Sequence, residues 1–180
     1  YSSFARTRDL KNAGVKLLAG TDASARERIP WDRVQVFWGD ERHVPPDDPQ
    51  SNYGMAREAR LSRVPIPAPN VQRIEAERPD AAQAAALYDA ELKRFFALAP
   101  GEFPRLDLVL LGVGPEGHTA SLFPGTAALQ VRDRAVVSNW VPVLGAFRIP
   151  MTLPVFARAG AVLVLAAGAD KGGVGAVVFG

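Results

Sequence analysis

Two short stretches of the sequence gather the residue types that proton transfer and anion binding require. The first, Gly39-Asp40-Glu41-Arg42, sets two carboxylates and a guanidinium just past an apolar run. Arg42 could bind an anion or polarise a carbonyl, because its planar fork matches such groups. The second, Gly112-Val113-Gly114-Pro115-Glu116-Gly117-His118-Thr119-Ala120-Ser121, combines three glycines with a single imidazole. Glycines allow a tight turn and close ligand approach. Backbone N–H groups at the start of the next element can hold an anion or a developing oxyanion. An imidazole titrates near about 6.5, which suits proton transfer around neutral pH. Glu116 could orient the His118 ring. Arg148 and Lys171 are candidate phosphate cations. The spacing by itself is compatible with an ordinary charged loop at the first stretch, which it favours there, and with a glycine turn bearing a surface histidine at the second. It fits neither the dinucleotide fingerprint nor a Walker loop.

These clusters need a scaffold. Val34 to Trp38 is dense in β-branched and aromatic residues and reads as a strand ending at Gly39. Leu106 to Leu111 is almost continuously apolar, which predicts a central parallel strand buried on both faces. Ala135 to Val137, Thr152 to Val155 and Ala161 to Ala166 are further strand candidates. Ser51-Asn52 predicts a helix cap, with the helix running to about Leu61. Pro79 and Asp80 open a longer helix whose apolar positions include Ala84, Leu87, Leu92, Phe95 and Phe96. A short helix is expected over Leu10 to Gly20. Helices alternating with buried strands imply a three-layer α/β fold with a mostly parallel sheet. Ligands bind such sheets at the carboxyl ends of strands, so both clusters are expected at one cleft. No repeat or linker divides residues 1–180, which reads as a single domain.

Composition removes several classes of function. The chain has 180 residues and a net charge of +2, from 21 basic and 19 acidic residues. That small, scattered excess gives no reason to expect a nucleic-acid partner. Cysteine is absent, so disulfides, thiolate metal ligands and thiol catalysis are excluded. With two histidines and no ligand-like spacing, no metal is expected. No apolar run is long enough to span a bilayer. Tyr1 to Leu10 lacks the apolar core of a signal peptide, which fits a cytoplasmic protein with no membrane partner.

Taken together, the segments resemble a known family. Phe37-Trp38-Gly39-Asp40-Glu41-Arg42-His43-Val44-Pro45 with Ser51-Asn52-Tyr53-Gly54 resembles one signature of the 6-phosphogluconolactonases. Leu106 to Gly125, reading LDLVLLGVGPEGHTASLFPG, resembles their most specific one. Arg148 to Pro154, followed by Gly168-Ala169-Asp170-Lys171, is similar to a third. The resemblance covers roughly Trp31 to Lys171. It implies the Rossmann-like fold shared with glucosamine-6-phosphate deaminases and ribose-5-phosphate isomerases. It also implies hydrolysis of 6-phospho-D-glucono-1,5-lactone, a small sugar phosphate, in the pentose phosphate pathway without cofactor or metal; a monomer is expected. His118 would be the general base. Asp40 and Arg42 would line the catalytic site. Gly114 and Gly117 would shape the backbone at the reacting carbon. Glu116, Ser51 and Asn52 would contact substrate, and Arg148 and Lys171 would grip its phosphate.

The string after His118 favours a lactonase over a deaminase or isomerase of the same superfamily. A non-catalytic sugar-phosphate binder is the reading from a different class. Three departures from the family pattern bear on this. The Ser-Gly-Gly-Ser-Thr-Pro phosphate loop has no counterpart in Tyr1 to Leu10, and the family's last elements have none after Gly180. On this reading the chain is a lactonase core trimmed at both ends, with weakened phosphate binding. Glu116 stands where aspartate is usual, and Pro150, which lacks a backbone donor, where threonine is usual.

Overall fold

The computed structural model describes residues 29–114 and 117–165. The expected helix at Leu10 to Gly20 and the residues Glu116 and Lys171 lie outside them. Seven strands and three α-helices follow one another in the described residues. Strand β1 is Val36–Phe37 and pairs in parallel with β3, Val71–Gln72. Strand β4, Leu108–Gly112, pairs in parallel with β7, Ala161–Leu165. Both pairs answer the expectation of parallel strands in an α/β chain. Three further strands form an antiparallel sheet in the order β2-β6-β5: Asp40–Arg42, Ala146–Pro150 and Asn139–Val141. This sheet carries much of the site, and the sequence reading did not anticipate it.

Helix α1 is Asn52–Ala59, with Ser51 at its N-cap as expected. The Ser51 hydroxyl accepts from the Gly54 N–H. Gly54 is required there, because a Cβ would stand 2.6 Å from the Pro46 carbonyl oxygen. Helix α2 is Ala81–Phe95, capped by Asp80, whose side chain accepts from the Ala82 N–H. Its buried stripe is Ala81, Ala84, Ala85, Tyr88, Asp89 and Leu92, while Leu87 and Phe95 are exposed. The stripe is thus rotated from the one expected. Tyr88 fixes the phase: its hydroxyl accepts from the Trp38 N–H at 2.9 Å and donates to the Gln72 carbonyl at 3.0 Å. Asp89 locks the far side by accepting from the Ala135 and Val136 N–H groups.

Thr152 to Val155 is not a strand. Thr152 is the N-cap position of helix α3, Leu153–Ala157, and Pro154 sits in its first turn. Proline is tolerated there because the missing N–H would have had no partner in the helix. The β4 expectation also needs adjustment. Val109 and Leu111 are buried, but Leu108 is 57% exposed, and Val162, Leu163 and Val164 on β7 are exposed too. Among the described residues the core includes Trp38, Ile74, Leu92, Leu111, Ile149, Met151 and Val155.

Candidate active site

Strand β2 leaves β1 through Gly39 and carries Asp40, Glu41 and Arg42, all nearly or fully buried. Neighbouring side chains on a strand point to opposite faces. Asp40 and Arg42 therefore share one face and Glu41 takes the other. Antiparallel register sets Arg42 directly opposite Arg148 on β6, and Arg148 opposite Asn139 on β5. Opposed residues share a face, so Arg42, Arg148 and Asn139 form one row across the sheet. The Arg42 Nη1 donates to the Gln50 carbonyl at 2.7 Å, and the Arg148 Nη1 to the Phe147 carbonyl at 3.0 Å.

Asp40 sits beside this cationic row. Its Oδ2 accepts from the Ser121 hydroxyl and its Oδ1 from the Asn52 amide at 3.1 Å. Burial raises its carboxyl above the ordinary range, and Arg42, the Ser121 hydrogen bond and Arg148 oppose that rise. Glu41 serves the opposite face. Its carboxylate accepts from the backbone N–H groups of Arg42, Asn52 and Tyr53 and from the Ser51 hydroxyl. Glu41 and Ser51 together satisfy the first three N–H groups of α1. Burial raises Glu41 as well, against the pull of those N–H donors.

The glycine turn is closed by hydrogen bonds from Gly114 N to His118 O, 2.8 Å, and from Gly117 N to Gly114 O, 3.0 Å. Thr119 Oγ1 donates to Gly112 O at 2.8 Å. Gly117 has φ +78°, the left-handed region that glycine enters without strain. The His118 ring stacks on Phe123 at 3.8 Å and 21° between planes. It also lies over Gly114, where a Cβ would come within 2.0 Å of the ring. The imidazole is therefore held between an aromatic face and a glycine. The turn is fastened to the antiparallel sheet: Ser121 reaches Asp40 on β2, and the Asn139 amide on β5 donates to the Ser121 carbonyl at 3.2 Å.

The two sequence clusters are thus joined through the Ser121–Asp40 hydrogen bond. Arg148 and Asn52 join them through the sheet register and the Asp40 carboxylate. Ser51 is engaged in the helix cap. Glu116 and Lys171 are outside the described residues. Sequence reasoning assigned no role to Glu41, Ser121 or Asn139. The cap signal at Ser51-Asn52 could have pointed to an acidic partner such as Glu41, whereas Asn139 carries no local signal. Among the described residues, no cluster of three His, Asp or Glu is arranged to hold a metal ion. No helix among them is long and apolar enough to cross a membrane.

The fold is α/β, and it ties the turn that carries His118 to the strand that carries Asp40 and Arg42. The family model described as glucosamine-6-phosphate isomerases/6-phosphogluconolactonase matches residues 11–180. The chain belongs to that family. It is 49% identical over 158 residues to the 6-phosphogluconolactonase of Nostoc sp., covering 88% of this chain and 65% of that protein. It is 46% identical over 150 residues to the Synechocystis sp. 6-phosphogluconolactonase, covering 83% and 62%. The crystal structure of devB protein is similar with a TM-score of 0.82 and 34% identity, over 96% of this chain and 70% of that one. The Trypanosoma cruzi 6-phosphogluconolactonase structure gives 0.73 and 29%, over 94% and 68%. The chain spans just under two thirds of the length of these two cyanobacterial relatives.

Proposed function

We propose that this chain forms one lactonase domain that hydrolyses 6-phospho-D-glucono-1,5-lactone to 6-phosphogluconate, a step of the pentose phosphate pathway. The reading is carried by one observation: the turn bearing His118 is tied, through Ser121, to the carboxylate that shares a strand face with Arg42. The relatives named 6-phosphogluconolactonase support it.

In this mechanism His118 takes a proton from water as the oxygen attacks the lactone carbonyl carbon. Negative charge gathers on the carbonyl oxygen, and Arg42 offsets it. Collapse of the tetrahedral intermediate breaks the bond to the ring oxygen, which receives the proton back from the imidazolium. Base assistance of this kind is worth about 10²–10⁴-fold. Gly114 and Gly117 shape the backbone beside the reacting carbon, while Asp40, Asn52 and Ser51 hold the surrounding elements. Arg148 binds the 6-phosphate, with Lys171 and Glu116 completing the contacts to substrate. The reaction needs no metal or organic cofactor, since the lactone is already an activated ester. The protein acts as a cytoplasmic monomer on a free sugar phosphate.

The test is substrate choice. Freshly prepared lactone should disappear faster with the protein than without it, and glucosamine 6-phosphate should release no ammonia. Ammonia release without lactone hydrolysis would instead assign the chain to the deaminases. Tight 6-phosphogluconate binding with neither reaction would make it a binder.

A further inference from the structure

Residues Thr119 to Leu122 form a tight turn, closed by a 2.8 Å hydrogen bond from Leu122 N to Thr119 O. Both central residues have positive φ, +47° at Ala120 and +58° at Ser121. That is the backbone sense of a type I′ turn, which normally uses Asn-Gly or Gly-Gly. Neither residue here is glycine, and a Cβ makes left-handed backbone unfavourable by crowding the following carbonyl oxygen. Strained backbone persists only where its surroundings over-determine it, and it clusters at functional sites.

The surroundings that impose this conformation are visible. Ala120 is fully buried and Ser121 nearly so. The Ser121 hydroxyl is bound by the buried Asp40 carboxylate, and its carbonyl by the Asn139 amide. Asp40 is itself held by the Asn52 amide, through both its side chain and its backbone carbonyl. At the other end of the turn, Thr119 hydrogen-bonds Gly112, and His118 leads directly into it. Nothing in the proposed chemistry needs a serine at 121, and Asp40 accepts on each oxygen and has no exposed surface.

We propose that Ser121 is a positioning residue: anchored on Asp40, it holds the strained 119–122 turn and so fixes the His118 imidazole against Phe123 and Gly114. Asp40 then acts through Ser121 and not on the substrate. The catalytic part of this inference rests on the lactonase reading, but the structural part does not.

The experiment compares Ser121→Ala with Ser121→Gly. Alanine removes the hydroxyl and keeps the strain, whereas glycine removes the hydroxyl and relieves the strain, so it also guards against misfolding of the alanine variant. Each protein is assayed for kcat and KM on 6-phosphogluconolactone. The carbon-bound ring protons of its two histidines are followed by NMR, with His43→Gln used for assignment. Ser121→Ala is expected to lose kcat on the order of 10²-fold, the usual cost of a small misplacement of a reacting group, and Ser121→Gly, which enters the left-handed turn without an anchor, to lose less. KM should stay within about twofold. The His118 signals should move while those of His43 stay in place. Full kcat in Ser121→Ala, a larger loss in Ser121→Gly than in Ser121→Ala, or unmoved His118 signals in both variants, would overturn the proposal. If the wild type does not hydrolyse the lactone at all, the functional reading fails and the NMR comparison still decides the anchor.

Discussion

Arg42 on β2 lies directly opposite Arg148 on β6, with both side chains largely buried. Like charges facing each other across a ladder destabilise a sheet. Asp40, two residues away on the same face, brings a carboxylate beside the pair and accepts from Ser121 and Asn52. The proposed reading assigns the anionic group of the substrate to this row.

Arg148→Met should therefore separate folding from function. The variant keeps an unbranched apolar stem and removes one of the two charges. Its thermal midpoint is expected to equal or exceed the wild type's. Its KM for the lactone should rise about 10–100-fold, the loss of one charge-assisted contact of about 1.5–3 kcal/mol. Thermal melts and steady-state kinetics on the same preparation check both halves.

Asp40 gives a pH dependence of definite sign. Burial raises its folded-state carboxyl above the ordinary value of 3.8. A raised acid stabilises the fold when protonated, so its contribution is full below that unfolded value and is lost as pH rises through the folded one. An asparagine in its place would not titrate. The stability of Asp40→Asn relative to wild type should therefore be greater at pH 7 than at pH 4. Chemical denaturation of both proteins across that range measures the difference.

Glu41→Ala should unfold the start of α1. The substitution leaves the buried N–H of Asn52 and the part-buried N–H of Tyr53 without their carboxylate acceptor. Each such group costs about 1–3 kcal/mol. A loss of roughly 2–5 kcal/mol is expected by urea denaturation, with the earliest hydrogen exchange at residues 52–54.

Gly114→Ala should move the imidazole without unfolding the protein. The added Cβ would overlap the ring. The ring must swing off Phe123, and kcat should fall on the order of 10²-fold. Circular dichroism and kcat together distinguish this from loss of fold.

The parts of this design carried by local chemistry were legible in the sequence. The β-branched run before Gly39, the serine cap at Ser51, the aspartate cap at Asp80 and the glycine turn before His118 each form what their residues favour. What depended on distant partners was not legible. Tyr88 rotates α2 because its hydroxyl must reach Trp38 and Gln72, so Leu87 loses the core position its spacing suggested. The β-branched residues of Thr152 to Val155 suggested a strand, but Pro154 fits the first turn of a helix equally well and tertiary packing decided. Asn139 and Ser121 meet across eighteen residues of chain, and no periodicity marks such a pair. The family resemblance placed Asp40 at the site, but only the geometry revealed what engages its carboxylate.

The central claim is that His118 activates water on a bound lactone. Its most direct measurement is the rate of 6-phosphogluconolactone hydrolysis, corrected for the spontaneous reaction, for wild type and His118→Ala. The wild type should exceed the background, and the variant should lose about 10²–10⁴-fold of that excess. Equal enzymatic rates for the two proteins would contradict it.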